Sequence, residues 1–516
     1  IFNSFSIMSN AQQRPQIPSS QTDNNANDHR IISKGKFVMA ELAMFLFMCS
    51  VMIKFPVFQS LLYEKACLNS GRFNESACAD VRAVHQDVQF QREANHVLLT
   101  SSLCLLGPSI PMALLLGALF DSWSTRFSLI VPLIGVLLAD LNYLLQTCFM
   151  HWNVYFLLIS DLLFGFAGGF TSVATMEGSL GLGVMSGLFF PANFDSTNNF
   201  FGYPLVFLLL VLLHLLILAI VFLFFRELAS DEMERRRTTD SRRRRQSLLP
   251  PADEAQAEDR DAAAAAVAAE GENGEGRQNT DDAAANNRSS VCWCFSLVQK
   301  RLAEMARVYR AKRAPAAQRC LNIVLVALGV NLFTSAGLRD ILYSFLRYRL
   351  QWTDREYGWY SGTDSALDSL SVMLLYPLLH KSANLTDLQL ALFGLLAKIV
   401  RDALLAFSSS VLLVSLALIP SMTSRFPTAG MRALASACVQ QHEQGKVFSL
   451  IALMDGVASL FASLFFNGIY PFTLNFFAGT MLIFSALLLI FPVSLLAKIH
   501  FNGLDKVTQR ENQNET

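Results

Sequence analysis

The sequence predicts an all-α protein that crosses a membrane many times, and three observations carry that expectation. Of 516 residues, 53% are hydrophobic, 41 of them Phe, and only 16% are charged; soluble domains run at about 45–50% apolar and about 25% charged. The charges are also segregated, leaving long windows nearly free of them, and an apolar window of about 20 residues spans a bilayer. Third, the windows fall into two groups. Six lie near 37–62, 95–119, 127–149, 154–175, 177–192 and 202–225, and six near 320–343, 358–379, 387–407, 410–433, 446–468 and 476–498. Two six-helix halves, with 12 transmembrane helices in all, is the layout of a transporter built from repeats. The expected division is a tail (1–36), a first half (37–225), a linker (226–319), a second half (320–498) and a C-terminal tail (499–516).

Several function classes drop out. Basic and acidic residues balance at 41 each, so nothing points to nucleic acid, and the expected partners are the lipid bilayer and a small molecule. The nine Cys form no CxxC pair or zinc spacing, so no metal is expected. No nucleophile or phosphate-loop signature suggests an enzyme. The chain begins at Ile1 rather than Met, which points to an incomplete translation with Met8 as the expected start. Residues 9–30, rich in Gln, Asn, Ser and Asp, read as a polar tail and not as a signal peptide.

The linker fixes the topology. It holds "ERRRTTDSRRRRQS" and "DAAAAAVAAEGENGEGRQNTDDAAANN", which cannot bury enough apolar surface to order itself. Its Arg content places it in the cytoplasm, with both termini, and Arg30, Lys34 and Lys36 agree. "RRQS" at 244–247 has the form of a basophilic kinase site and "CWC" at 292–294 that of an acylation site; an incidental run explains either as well. The loop 63–94 then faces outward. There Asn74 of "NES" has the context for a glycan, and Cys67 and Cys78 have the context for a disulfide, formed or not. Asn384 of "NLT" falls on the cytoplasmic side and is expected to be bare.

Charges inside the membrane come next. One at mid-bilayer costs about 2.5–3.5 kcal/mol on insertion scales, so such residues face the bundle interior and mark function. The first half carries Asp140, Asp161 and Glu177; the second carries Arg339, Asp340, Asp364, Asp368, Lys398, Arg401, Asp402, Arg425, Arg432 and Asp455. Lys398 and Asp402, four apart on one helix face, are expected to pair. Arg339 and Asp340 read equally as an interfacial pair. Arg425 and Arg432, seven apart, stack on one face of a predicted helix that carries no acid, which suggests an anion site; the alternative is pairing with Asp455 or Glu177 on neighbouring helices. Glu177 also poses a problem of length. It sits in "TSVATMEGSLGLGV" (171–184), inside an apolar run too long for one crossing and without a loop to make it two.

"GALFDSWSTR" at 117–126 joins the second and third spans. It resembles the Gly-x-x-x-Asp-x-x-Gly-Arg-Arg loop of major facilitator transporters, in which a carboxylate at a helix end latches one conformation on a neighbouring helix N-terminus. Gly117, Asp121 and Arg126 fit that pattern, while Ser124 and Thr125 depart from it.

"HEQGKVFSLIALMDGVASLFASLFFNGIYPFTLNF" at 442–476 closely resembles the proton-coupled folate transporter family, solute carrier family 46, a branch of the major facilitator superfamily. "GLRDILYSFL" at 337–346, the 117–126 loop, and Pro56 and Gln59 of the first span extend the likeness. The resemblance implies a major facilitator fold and proton-coupled uptake of an organic anion by alternating access. That anion would be folate-like, or another anionic metabolite such as a muropeptide or cyclic dinucleotide. No cofactor is expected beyond protons as the coupling ion, and the expected location is the plasma membrane or a lysosomal or endosomal membrane. Glu177 matches the carboxylate that opens the fifth helix and is tied to proton coupling; Asp340 matches the Asp-Ile-Leu of the seventh helix. Arg432 aligns with a functional arginine of the tenth helix and, with Arg425, would bind the substrate anion. Relatives carry a cytoplasmic turn between the fourth and fifth helices where this chain runs from Thr175 directly to Met176, so a lost exon is expected. The chain departs elsewhere too: Ser335 replaces a proton-coupling histidine, Asp161 an arginine, and Gln351 the cysteine that bridges to the first outer loop. A non-transporting receptor or scaffold on the same fold is the rival reading; the retained Glu177 and Arg432 argue against it.

Overall fold

The computed structural model describes residues 53–79, 87–122, 125–169, 202–223, 315–440 and 443–502, with isolated positions in 43–51 and 296–305. All described elements are helices. In the first half, α1 (53–70) is followed by a short α2 (Glu75–Ala79), then α3 (Val88–Ser122), α4 (Thr125–Cys148), α5 (Val154–Phe166, opening on one 3₁₀ turn) and α6 (Tyr203–Leu223). The second half has α7 (Pro315–Leu350) and α8 (Asp354–Leu370), which runs through a π turn (Ser371–Leu375) into Tyr376–Ser382. Then come α9 (Asp387–Ala406), α10 (Val411–Ser421), α11 (Phe426–Ala437), α12 (Gln444–Thr473) and α13 (Thr480–Phe501). Among the described residues seven helices are long and apolar enough to cross a membrane, and the protein is a multi-pass integral membrane protein. The predicted fifth span (177–192), and with it Glu177 and the abrupt Thr175–Met176 join, lies outside the described residues, as do both tails and most of the linker.

Local chemistry sets the helix starts. Glu356 Oε2 accepts from Thr353 N at 2.7 Å to open α8, and Thr386 and Gln389 exchange two bonds of 3.0 and 3.3 Å to open α9. Ser410 caps α10 through Leu413 N. Prolines sit inside α3 (Pro108, Pro111), α4 (Pro132), α12 (Pro471) and α13 (Pro492); in a bundle, neighbouring helices satisfy the carbonyls they free. Leu209, Leu212 and Leu216 of α6 and Leu412 and Ile419 of α10 are exposed, the face a bilayer would cover.

Close approach depends on glycines, of which two join long helices. A Cβ on Gly337 of α7 would lie 2.1 Å from the Phe466 ring of α12, and one on Gly165 of α5 would lie 2.6 Å from the Leu105 carbonyl of α3. Small residues let backbones approach closely where lipid offers no hydrophobic drive for helices to associate. The apolar core is shared unevenly. The first half forms one continuous cluster with residues of the second such as Leu338, Ile341, Phe466 and Tyr470. The other end of the second half packs around Val324, Leu328, Leu395, Met431 and Leu489 as a separate cluster.

Candidate functional site

The described intramembrane charges gather into three groups. The first lies wholly within the first half. Asp140 of α4 is fully buried, with Oδ1 2.7 Å from Lys54 Nζ of α1 and Oδ2 2.7 Å from His214 Nδ1 of α6. Neither contact has hydrogen-bond geometry; that with Lys54 is an ion pair. Ser50 Oγ lies 2.8 Å from His214 Nε2. Lys54 also sits 4.8 Å above the Tyr143 ring, whose hydroxyl donates to Asp161 Oδ1 at 2.6 Å; Ser101 donates to Asp161 Oδ2 at 2.7 Å. Sequence reasoning named Asp140 and Asp161 but missed Lys54 and His214. Lys54 stands within a predicted span, and its charge there was a usable signal.

The second group joins the halves. Tyr63 of α1 bonds Ser344 of α7 and donates to Gln91 of α3 at 3.2 Å. Ser60 of α1 bonds Tyr203 of α6 at 2.7 Å and donates to Asp354 of α8. Arg347 of α7, 1% exposed, lies 3.3 Å from Asp354, donates to Tyr343 and packs over the Tyr63 ring at 5.4 Å. Gln59 of α1 donates to the Asp340 carbonyl at 3.4 Å, and Arg92 of α3 packs over Phe472 of α12. These contacts clasp the same end of the two halves, which is the outer end under the cytoplasmic N-terminus expected from the sequence. The residues of this clasp left little trace in the sequence, because tyrosines and serines near a helix end look like interface residues anywhere.

The third group belongs to the second half. Arg425 pairs with Asp368 of α8: Nε to Oδ2 is 2.7 Å, and its backbone N donates to Oδ1 at 3.0 Å. The seven-residue spacing keeps Arg425 and Arg432 on one helix, at the N-cap of α11 and two turns further on, but Arg425 is taken up by Asp368. The predicted helix ends at Ser421, turns through 422–425 and restarts at Phe426, so Pro427 can open α11 and Arg425 stands at its N-cap. Among the described residues the acid partner of Arg425 is Asp368 rather than Asp455. The expected Lys398–Asp402 pair is corrected. Lys398 Nζ donates to Asn331 Oδ1 at 2.8 Å and to Ser335 Oγ at 2.5 Å, both on α7. Asp402 lies 3.5 Å from Arg401 Nε and accepts from Ser485 of α13 at 2.9 Å. A histidine in place of Ser335 would thus face an ammonium group. Arg432 differs from Arg401 and Arg425 in that no acid among the described residues pairs with it; its Nε, like that of Arg401, is buried with no hydrogen-bond partner.

The remaining predicted positions are placed as follows. Asp340 is half-buried on α7, and its Oδ2 accepts from Asn467 of α12 at 3.1 Å. Gly117 and Asp121 fall on the last turns of α3 and Arg126 on the first turn of α4, the helix-end placement a latch requires. Cys67 and Cys78 are joined by a disulfide with a Cα–Cα distance of 5.7 Å. Asn74 is exposed just before α2. Asn384 is exposed as well, in a left-handed turn at φ 51°. Asn74→Gln is expected to increase gel mobility and Asn384→Gln to leave it unchanged. A glycan on Asn384 would reverse the topology assigned to the second half.

Among solved structures, the fold is similar to that of the human organic anion transporter MFSD10 (TETRAN). The TM-score is 0.56 at 14% identity, over 89% of this chain and 98% of that one. It also matches the POT family transporter PepTSo with a TM-score of 0.50 at 13% identity, over 93% and 99% of the two chains. The architecture is of the major facilitator type. No family model matches the sequence. A lysosomal proton-coupled steroid conjugate and bile acid symporter of Gallus gallus is 29% identical over 199 residues, 38% of this chain and 42% of that protein. The proton-coupled folate transporter of Bos taurus is 30% identical over 191 residues, 37% and 41% of the two. The relatives belong to solute carrier family 46. A Drosophila melanogaster protein of that family, a probable peptidoglycan muropeptide transporter, is 24% identical over 183 residues, 35% of each chain. These matches span about two fifths of the length of the first two family 46 relatives. The named relatives and structural neighbours are transporters rather than enzymes.

Proposed function

We propose that this protein is a proton-coupled secondary transporter of an organic anion, working by alternating access of its two halves. The observation that carries the reading is the guanidinium of Arg432, buried at Nε and without an acid among the described residues. The other buried guanidiniums in the second half, Arg347 and Arg401, have carboxylates close by. A cation kept unpaired inside a membrane bundle is costly, and it serves where a ligand supplies the missing negative charge. The clasp at the outer ends supports the alternating part of the reading, since a bundle joined at one face can open at the other. The relatives' named substrates include folate and bile acids, which bear carboxylates that such a guanidinium would bind.

The test is uptake by proteoliposomes under an inward proton gradient, with a labelled bile acid and a labelled folate assayed in parallel. Accumulation of at least one anion above its equilibrium level is expected. Arg432→Ala should cut uptake at low substrate about tenfold or more, the equivalent of about 1.4 kcal/mol of binding. Failure of the parent protein to accumulate either anion would sink the substrate class, and an Arg432→Ala protein with parental uptake would remove Arg432 from the site.

A further inference from the structure

Lys398 of α9 is 3% exposed, and among the described residues its ammonium touches neutral oxygens only. Asp402, one turn further along the helix, is held by Arg401 and Ser485. A buried ammonium that no carboxylate pairs is costly inside a membrane bundle, and its contacts show what it holds in place. Its two acceptors, Asn331 Oδ1 at 2.8 Å and Ser335 Oγ at 2.5 Å, lie one turn apart on α7. An ammonium carries donors only, so Asn331 must turn its amide oxygen toward Lys398. The amide nitrogen then faces α11, where Nδ2 donates to Thr428 Oγ1 at 3.0 Å. Ser335 is committed too: it donates its one proton to the Asn331 carbonyl at 2.6 Å and accepts from Lys398. One ammonium thereby ties α9 to α7 and, through the Asn331 amide, α7 to α11.

We infer that Lys398 is a positioning residue for Arg432, acting through Asn331 and Thr428. Arg432 follows Thr428 by four residues in α11, which puts the two side chains on one face of the helix, a turn apart. Arg432 has no bond at Nε and no acid partner among the described residues, so its placement comes from the helix that carries it. The N-cap of that helix is tied to α8 through Arg425 and Asp368. The Thr428 bond adds a second tie, to α7, and two ties fix the rotation of a helix where one does not. Asn331 is fully buried; without the ammonium its amide is free to turn over, and its bond to Thr428 is no longer obligatory. That the guanidinium so placed binds the transported anion rests on the reading above; the relay from Lys398 to Thr428 does not.

Two readouts test this, and the first needs no substrate. Arg432 is half-buried, so a thiol introduced by Arg432→Cys can be reached. The full chain carrying it is placed in lipid nanodiscs and reacted with N-ethylmaleimide, and modification at position 432 is followed by mass spectrometry. Adding Thr428→Val keeps the ammonium but breaks the last bond, and should change the rate about threefold or more. Lys398→Met should act in the same way, whereas Thr428→Ser, which keeps the hydroxyl, should leave the rate as it was. A rate moved by Lys398→Met alone, or by neither substitution, overturns the relay. The second readout is uptake of whichever labelled anion the parent accumulates, bile acid or folate. Lys398→Met and Thr428→Val should each raise its KM about tenfold, and neither should raise it further in an Arg432→Ala background. Increases that add to that of Arg432→Ala would overturn the positioning role. If the rates at position 432 shift while the parent accumulates neither anion, the transport reading falls and the relay stands.

Discussion

Replacing Glu177 by Gln is expected to abolish net, proton-driven accumulation of substrate while sparing exchange of substrate across the membrane. An amide mimics the neutral, protonated carboxyl, so a loaded carrier still rocks between its two faces. It cannot release a proton to the cytoplasm, so it cannot return empty. Arg432→Ala should separate from this pattern by weakening both assays, because it removes a charge the ligand needs in either mode. The measurement uses an inward gradient with the outside near pH 5.5, roughly one unit above the ordinary pKa of Glu and one below that of His. Accumulation by the Glu177→Gln protein at the parental level would leave Glu177 a packing residue and move attention to Asp340 and Asp455.

Arg347→Met should have the largest effect on stability. Arg347 is 1% exposed and is the cation against which Asp354, Tyr343 and Tyr63 are arranged. Removing it strands the Asp354 carboxylate among tyrosines, and breaking a buried pair in this way costs about 3–5 kcal/mol. The loss falls on the outer-closed conformation, so the outer face should open. Ser344→Cys supplies the probe, because Ser344 is fully buried here. Outside labelling by a membrane-impermeant maleimide should be slow in the Ser344→Cys protein and fast when Arg347→Met is added. Asp354→Asn on top should restore part of the lost thermal stability by removing the stranded charge. An unchanged melting temperature with slow labelling would mean that Arg347 contributes only bulk.

The sequence shows the architecture for a simple reason: a bilayer demands long apolar windows, and nothing else in a chain of this composition produces them. Residues in those windows that are charged stand out equally well, and Asp140, Asp161, Arg425 and Arg432 were visible by that rule alone. Their partners were not. Lys398 and Asp402 satisfy the four-residue spacing of a helix pair, yet α7 places Asn331 and Ser335 against Lys398 at hydrogen-bond distance, and tertiary packing outweighs local spacing. Arg425 and Arg432 keep their heptad spacing along α11, yet Asp368 of α8 occupies Arg425, an acid that no local pattern announces. His214 escaped notice because one imidazole among leucines carries no fixed charge, and only the meeting of α1, α4 and α6 puts Asp140 beside it. The clasp was hidden for a related reason: its parts come from six helices, and no short stretch holds more than a few of them.

The placement of that clasp bears on how the protein is made. Tyr63 and Ser60 emerge from the ribosome with α1, whereas Ser344, Arg347 and Asp354 follow only after the 226–319 stretch has been synthesised. During that interval the newborn first half exposes hydroxyls with no second-half partner, next to apolar core surface that Leu338, Ile341 and Phe466 later cover. The other end of the second half, by contrast, packs largely upon itself. Biogenesis therefore has a vulnerable stage, a half-made bundle that membrane chaperones must shield or quality control will remove. Substitutions in the outer part of α7 would lower abundance by prolonging that stage, before any cycle of transport begins.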